Sequence, residues 1–218
     1  MRPTLLDCFT GAGGACRGYQ DSGFYVVGVD IEPQPHSCAD EFVQADALEY
    51  LRTADLSRFD AIHASPPCQA YSKIGNNRAA HPDLYEPTRD LLEATGLPWV
   101  IENVESNVPY RSGIILCGSM FGMQVRRHRN FETPWLIMQP ECDHRAQGRP
   151  VTVTGHAGGK DSRHSRKASS AEGPVLMGCD WMTWTEATQA IPPAYTEYVG
   201  TLLLQHLAPT QPKEARSE

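Results

Sequence analysis

Apolar residues in the first hundred positions come in short continuous runs, each stopped by a turn residue. "TLLDCF" leads into a glycine turn and then "GACRGYQDS", whose spacing predicts a helix that Gly23 would close. "YVVGVD", a weaker "FVQA" and "FDAIHA" predict a second, third and fourth strand. A helix is expected around residues 84 to 95, ending at Gly96, and "PWVIEN" predicts a fifth strand. Strands alternating with helices imply an α/β fold with a doubly wound, mostly parallel sheet. Ligands of such sheets bind beyond the carboxyl ends of the strands. Asp7, Asp30, Ser65 to Cys68 and Glu102-Asn103 all fall at those ends.

The pattern changes after "NFETPW". Residues 139 to 174 are polar and rich in Gly, Ser, His and basic residues, which predicts a loop-rich insertion. Order returns at "VLMGCDW". From Ala194 the spacing of Tyr195, Tyr198, Val199, Leu202 and Leu203 predicts a helix. The organisation read from the sequence is an α/β region over 1–138, a small insertion over 139–176, a return to the first region over 177–208 and a tail over 209–218. There is no internal repeat.

Composition narrows the class. With 218 residues, 40% hydrophobic and 21% charged, the chain has the make-up of one well-cored globular domain. No apolar run is long enough to span a bilayer, and a cytoplasmic location is expected. Seven cysteines scattered singly argue for reduced thiols rather than a disulfide framework. Net charge is −7, yet between Arg126 and Lys167 nine basic residues face four acidic ones. One basic stretch on an acidic body suits a phosphate backbone, and charge alone equally allows a solvated loop.

The candidate chemistry sits in six places. Gly11, Gly13 and Gly14 in "DCFTGAGG" allow a sharp turn and close backbone approach to a ligand. Asp30 ends the next strand, where a carboxylate can accept from ribose hydroxyls, and Asp46 follows the third strand, where it could meet an adenine amino group. In "SPPCQAYS" two prolines stiffen the turn and hold Cys68 at the pocket mouth, where a thiolate could act as nucleophile. Glu102 ends the following strand. Raised in pKa by burial, it could donate a proton to a ring nitrogen as that nucleophile adds. "RRHRNF" supplies cations for a polarised heterocycle.

Taken together these residues resemble the cytosine-C5 methyltransferase family. "DCFTGAGG" is similar to its motif I, "GVDIE" to motif II, Asp46 to motif III, "PPCQ" to motif IV, "ENV" to motif VI, "RRHRNF" to motif VIII and "AIPPAYTEYVG" to motif X. The resemblance implies a Rossmann-like domain that binds S-adenosylmethionine, contacts double-stranded DNA and flips out its target base. It implies Cys68 attacking C6, Glu102 engaging N3, and Arg127 and Arg129 supporting the base. Phe9, Thr10, Gly11, Gly13, Gly14, Asp30, Ile31, Asp46, Ala47 and Pro66 would line the cofactor site. Gln69, Ser72, Arg145, Arg149, Lys160, Arg163, Arg166 and Lys167 would contact DNA.

The chain departs from the family pattern at three points. Val125 stands where motif VIII carries Gln, Thr188-Gln189 stands where Gly-Asn precedes motif X, and motif IX is compressed to "TWTEATQ" with Glu186. A recognition region this short resembles those of solitary phage or prophage enzymes. A monomer is expected, a restriction endonuclease partner is left open, and the tRNA-methylating branch and a non-catalytic DNA-binding relative are the alternatives. Cys142, His144, His156, His164 and Cys179 match no strong zinc spacing, so no metal is expected.

Overall fold

All five strands expected from the apolar runs form. The structure, a computed structural model, describes residues 2–67, 83–105 and 108–208, so Cys68, Gln69, Ser72 and the tail lie outside the described residues. Strands β1 (Thr4–Cys8), β2 (Tyr25–Asp30), β3 (Glu41–Gln44), β4 (Ala61–Ala64) and β5 (Trp99–Val104) run parallel. Two further strands, β6 (Ile114–Leu116) and β7 (Arg129–Glu132), complete a sheet of order β3-β2-β1-β4-β5-β7-β6. β7 is antiparallel to both of its neighbours.

Successive residues of each strand point to opposite faces, and helices cover both. Leu5, Val26, Ala61 and Val100 pack beneath α1 (Gly14–Ser22) and α7 (Pro193–Leu207), against Tyr19, Tyr195, Val199 and Leu203. Leu6, Val27, Ile62 and Ile101 face α2 (Ala47–Thr53) and α3 (Tyr85–Thr95), against Leu51 and Leu92. Each fully buried Leu, Ile or Val contributes about 1.5–3 kcal/mol over leaving it exposed. The C-terminal helix can lie on α1 because α1 begins with small residues. A Cβ at Gly14 would collide with the Ile191 carbonyl and one at Gly18 with the Pro193 carbonyl. The Thr196 hydroxyl then donates to the Ala15 carbonyl at 2.9 Å.

The insertion is more built than its composition suggests. It holds α4 (His144–Gln147), a short parallel pair of β8 (Val151–Thr152) and β9 (Arg166–Lys167), and α5 (Glu172–Leu176). Its apolar residues Val151, Val153 and Ala168 join Met177, Cys179, Met182 and Ala187 in a small third core. That core also contains Ala12 from the glycine turn and Val125 from the segment before β7. After it, α6 (Trp184–Gln189) leads into α7. No helix among the described residues is long and apolar enough to cross a membrane.

Candidate active site

The carboxyl ends of β1, β2, β4 and β5 gather the groups singled out in the sequence. After β1 the chain takes positive φ at Phe9, Gly11 and Gly13, which folds the turn back and leaves Gly13 free to cap α1. Space beside Gly11 is open, since a Cβ there would meet nothing within 4 Å. Gly13 and Gly14 are small for a different reason, because a side chain would strike Cys38 or the Ile191 backbone. Asp30 orders the turn: the Gly11 N–H donates to its Oδ2 at 2.8 Å and the Glu32 N–H to its Oδ1 at 3.0 Å. Ile31 beside it is 60% exposed, an apolar side chain at the lip of this opening. Asp46 has a local duty as well. It is the N-cap of α2, with Oδ1 accepting from the Glu49 N–H at 2.9 Å, and Ala47 is the first, buried residue of that helix.

Behind the turn lies a buried polar chain. Thr10 Oγ1 and Cys16 Sγ donate to Asp7 Oδ2 at 2.8 and 3.0 Å. His63 Nε2 stops 3.9 Å from Asp7 Oδ1, and His63 Nδ1 meets the Tyr19 hydroxyl at 2.9 Å. Burial dominates both ionisable groups, pushing the Asp7 carboxyl up to about 6 and His63 down to about 3. Sequence reading placed Asp7 at the site but not Cys16, Tyr19 or His63, because residues pointing inward from three different elements leave no spacing to detect.

The turn after β4 is fastened to β5. The strands pair in parallel with Ala64 opposite Ile101, so Pro66 arrives beside Asn103. Asn103 Nδ2 donates to the Pro66 carbonyl at 2.8 Å, and its Oδ1 accepts from the Val104 N–H at 2.9 Å. Ser65 N–H donates to the Cys8 carbonyl at 3.2 Å. Pro66, two residues before Cys68, is therefore held next to the strand that carries Glu102.

Glu102 is buried, with burial lifting its carboxyl to about 7 against the pull of Arg129 and Arg127. Arg129 Nε lies 3.1 Å from Glu102 Oε1, yet Oε1 has no aligned hydrogen-bond donor among the described residues. The two arginines expected to act as a pair diverge. Arg129 turns to Glu102, while Arg127 donates to the carbonyls of Val153 at 3.3 Å and Thr188 at 2.6 Å. Arg127 thereby joins the insertion, the end of α6 and, through the Tyr195 hydroxyl on its own carbonyl, α7. Glu186 forms a capping box with Thr183 at the start of α6 and meets His36 Nδ1 at 2.9 Å.

The basic residues of the insertion divide into two groups. Arg149 donates to Asp161 and to the carbonyls of Ser162 and Ser165, Arg166 pairs with Glu172 at 3.1 Å, and Lys167 donates to the Thr154 carbonyl. These three shape the loop. Arg145, Lys160 and Arg163 are exposed and form no ion pair with the described residues.

The five Cys and His residues weighed as ligands do not meet as a set. Cys142 and His144 come together, with Cys117 and His128 rather than with the others, while Cys179 is buried in the insertion's core.

Comparison with known proteins adds an independent line. No family model matches the sequence. The type II methyltransferase M.XorII of Xanthomonas oryzae is 27% identical over 148 residues, covering 60% of this chain and 31% of that protein. The type II methyltransferase M1.HphI of Haemophilus parahaemolyticus is 29% identical over 132 residues, covering 52% and 35%. The chain thus spans about a third of the length of the curated relatives it matches. Among solved structures, Schizosaccharomyces pombe Dnmt2 methyltransferase superposes with a TM-score of 0.60 at 13% identity, covering 95% of this chain and all of that one. A structure described as a DNA modification methyltransferase from an E. coli prophage gives 0.59 at 13%, covering 93% and 99%. The fold is that of these solved structures, and part of the sequence is similar to two type II methyltransferases.

Proposed function

We propose that this chain is a cytosine-C5 methyltransferase that moves the methyl group of S-adenosylmethionine to DNA. The observation that carries the reading is Glu102. It is a buried carboxyl whose proton is retained to about pH 7, with Oε1 lacking an aligned donor, on the strand that clamps the turn into Cys68. That is the arrangement a cytosine ring needs. As the Cys68 thiolate bonds to C6, electron density moves toward N3, and a proton from Glu102 at N3 neutralises it. The resulting nucleophilic C5 takes the methyl group. Loss of the C5 proton and expulsion of the Cys68 thiolate restore the ring.

The same geometry supports a place for the cofactor. Asp30 can accept from ribose hydroxyls while the turn's N–H groups hold its carboxylate, and Ile31 offers an apolar face to adenine. The open space at Gly11 admits a ligand close to the backbone. S-adenosylmethionine supplies the electrophilic methyl group. Asp46, engaged as a helix cap, can reach adenine only through the oxygen that does not cap. DNA is the preferred substrate because the curated relatives are type II methyltransferases.

The test is covalent trapping. With S-adenosylmethionine and DNA containing 5-fluorocytosine, where the proton at C5 is replaced and elimination is blocked, the protein should form a stable adduct. Cys68→Ser should form none and transfer no methyl, while still binding cofactor. An adduct with tRNA and none with duplex DNA would move the substrate to RNA. Methyl transfer by Cys68→Ser would remove the mechanism.

A further inference from the structure

Beside the two arginines the chain gathers four ligand atoms that methyl transfer does not use. Cys117 follows β6, His128 stands between Arg127 and Arg129 just before β7, and Cys142 and His144 flank the start of α4. Their sulfur and imidazole nitrogen atoms all lie within 4.8 Å of one another. Cys117 Sγ is 3.3 Å from His144 Nε2, and Cys142 Sγ is 3.8 Å from His128 Nε2. Around zinc, bonds of about 2.3 Å to sulfur and 2.0–2.1 Å to nitrogen give a tetrahedron with edges of roughly 3.3–3.8 Å. The cluster is already close to that size.

Orientation agrees with distance. Both imidazoles present Nε2 to the cluster, and their rings cross at 81° with centroids 5.2 Å apart, as ligands on two edges of a tetrahedron would. The other nitrogen of His128, Nδ1, lies 3.7 Å from a Glu105 carboxylate oxygen. A carboxylate behind a metal-bound histidine is the usual support that fixes its tautomer and ring angle. The Ser119 hydroxyl donates to Cys117 Sγ at 3.4 Å, giving one thiolate a hydrogen bond as well.

We propose that Cys117, His128, Cys142 and His144 bind one zinc ion as a closed structural site. Two thiolates and two imidazoles are the donor set borderline-soft zinc prefers, and four protein ligands leave no position for water or substrate. On binding, two thiols release their protons and the two thiolates neutralise the ion's charge. The site ties three segments together: the end of β6, the arginine-bearing strand β7 and the root of the insertion. Arg126 works on the same joint, donating from Nε to Gln147 at 2.8 Å and from its Nη2 to the His144 and Gly148 carbonyls. The ion would thus set the direction in which Arg127 and Arg129 leave the backbone. The inference stands apart from the methyltransferase reading, because it concerns metal content and not turnover.

The experiment uses the untagged full chain produced in zinc-supplemented medium and dialysed against metal-free buffer. Elemental analysis should find one zinc per chain. Replacing it with cobalt should give the intense visible absorption of a tetrahedral thiolate–imidazole centre. Cys142→Ser should lower the zinc content at least tenfold, whereas His156→Ala, a histidine outside the cluster, should keep it. Chelation should lower the thermal midpoint of the wild type and leave that of Cys142→Ser unmoved. Should Cys142→Ser fail to fold, the zinc content and cobalt spectrum of the wild-type chain decide alone. Folded wild-type protein without zinc and without the cobalt spectrum would overturn the proposal, as would a Cys117–Cys142 disulfide in that protein.

Discussion

Two carboxylates in this molecule are moved in opposite directions, and the regions that hold them differ in the same way. Glu102, at the floor of the candidate site, is pushed up to about 7 because burial strips its solvent. Glu172, exposed on the insertion, is pulled down to about 2 by the Ser169 N–H, then by Arg166 and the Ser169 hydroxyl. The floor keeps few polar groups and makes each one chemically unusual. The insertion keeps many, pairs them in water, and uses them to give a loop its shape. Burial favours the protonated form of the first carboxylate, and pairing in water keeps the second ionised.

The sharpest way to break this contrast is to change Glu102. Glu102→Gln keeps the volume and removes the proton donor, so turnover should fall by about 10²–10⁴-fold. The pH profile decides the cause. A donor must be protonated, so wild-type rate should decline as pH rises through about 7, and the residual rate of Glu102→Gln should lack that decline. A variant with the wild-type pH profile would show that Glu102 is not the group that titrates. Next in size is Asp30→Ala, which removes the ribose acceptor and the ordering of Gly11. Calorimetry should show S-adenosylmethionine affinity falling by about 1–3 kcal/mol, with no change in DNA affinity.

The smallest effect belongs to the insertion, where the structure refines the choice of residues. Neutralising Arg145, Lys160 and Arg163, the exposed basic residues without ion pairs, should flatten the log–log salt dependence of DNA affinity by up to about 2.7. Neutralising Arg149, Arg166 and Lys167 instead should loosen the loop, seen as faster amide exchange over residues 155–170, with a smaller change in salt slope. Equal salt slopes in the two triple variants would erase the division between anchoring and shaping charges.

Much of the floor was legible in the sequence because its signals are local. Continuous apolar runs marked β1, β2, β4 and β5, and Gly23 and Gly96 closed α1 and α3 where expected. The β6–β7 pair was missed, since β6 is only three residues long and β7 carries Arg129 and Asn130 among its four. The cap at Asp46 was not foreseen, because a carboxylate after a strand looks alike whether it meets a ligand, caps the next helix or does both. The joint at Cys117, His128, Cys142 and His144 left no local trace beyond Cys142-x-His144, because its other two members arrive from β6 and from the start of β7. Likewise Arg127 and Arg129, two apart in sequence, gave no sign that one would turn to Glu102 and the other to the insertion and α6.

Ala12 sits in the insertion's core together with Val125, Val153 and Met182, and the Trp181 indole donates to its carbonyl at 3.0 Å. The turn that would cradle the cofactor and the segment that would choose the target are therefore walls of one room. Transplanting residues 139 to 176 from a cousin with another sequence preference would expose or crowd that wall unless Ala12, Val125 and Trp181 travelled with the graft. A segment at 139 to 176 that chose the target would not be an interchangeable cartridge, because its apolar core is shared with the turn after β1.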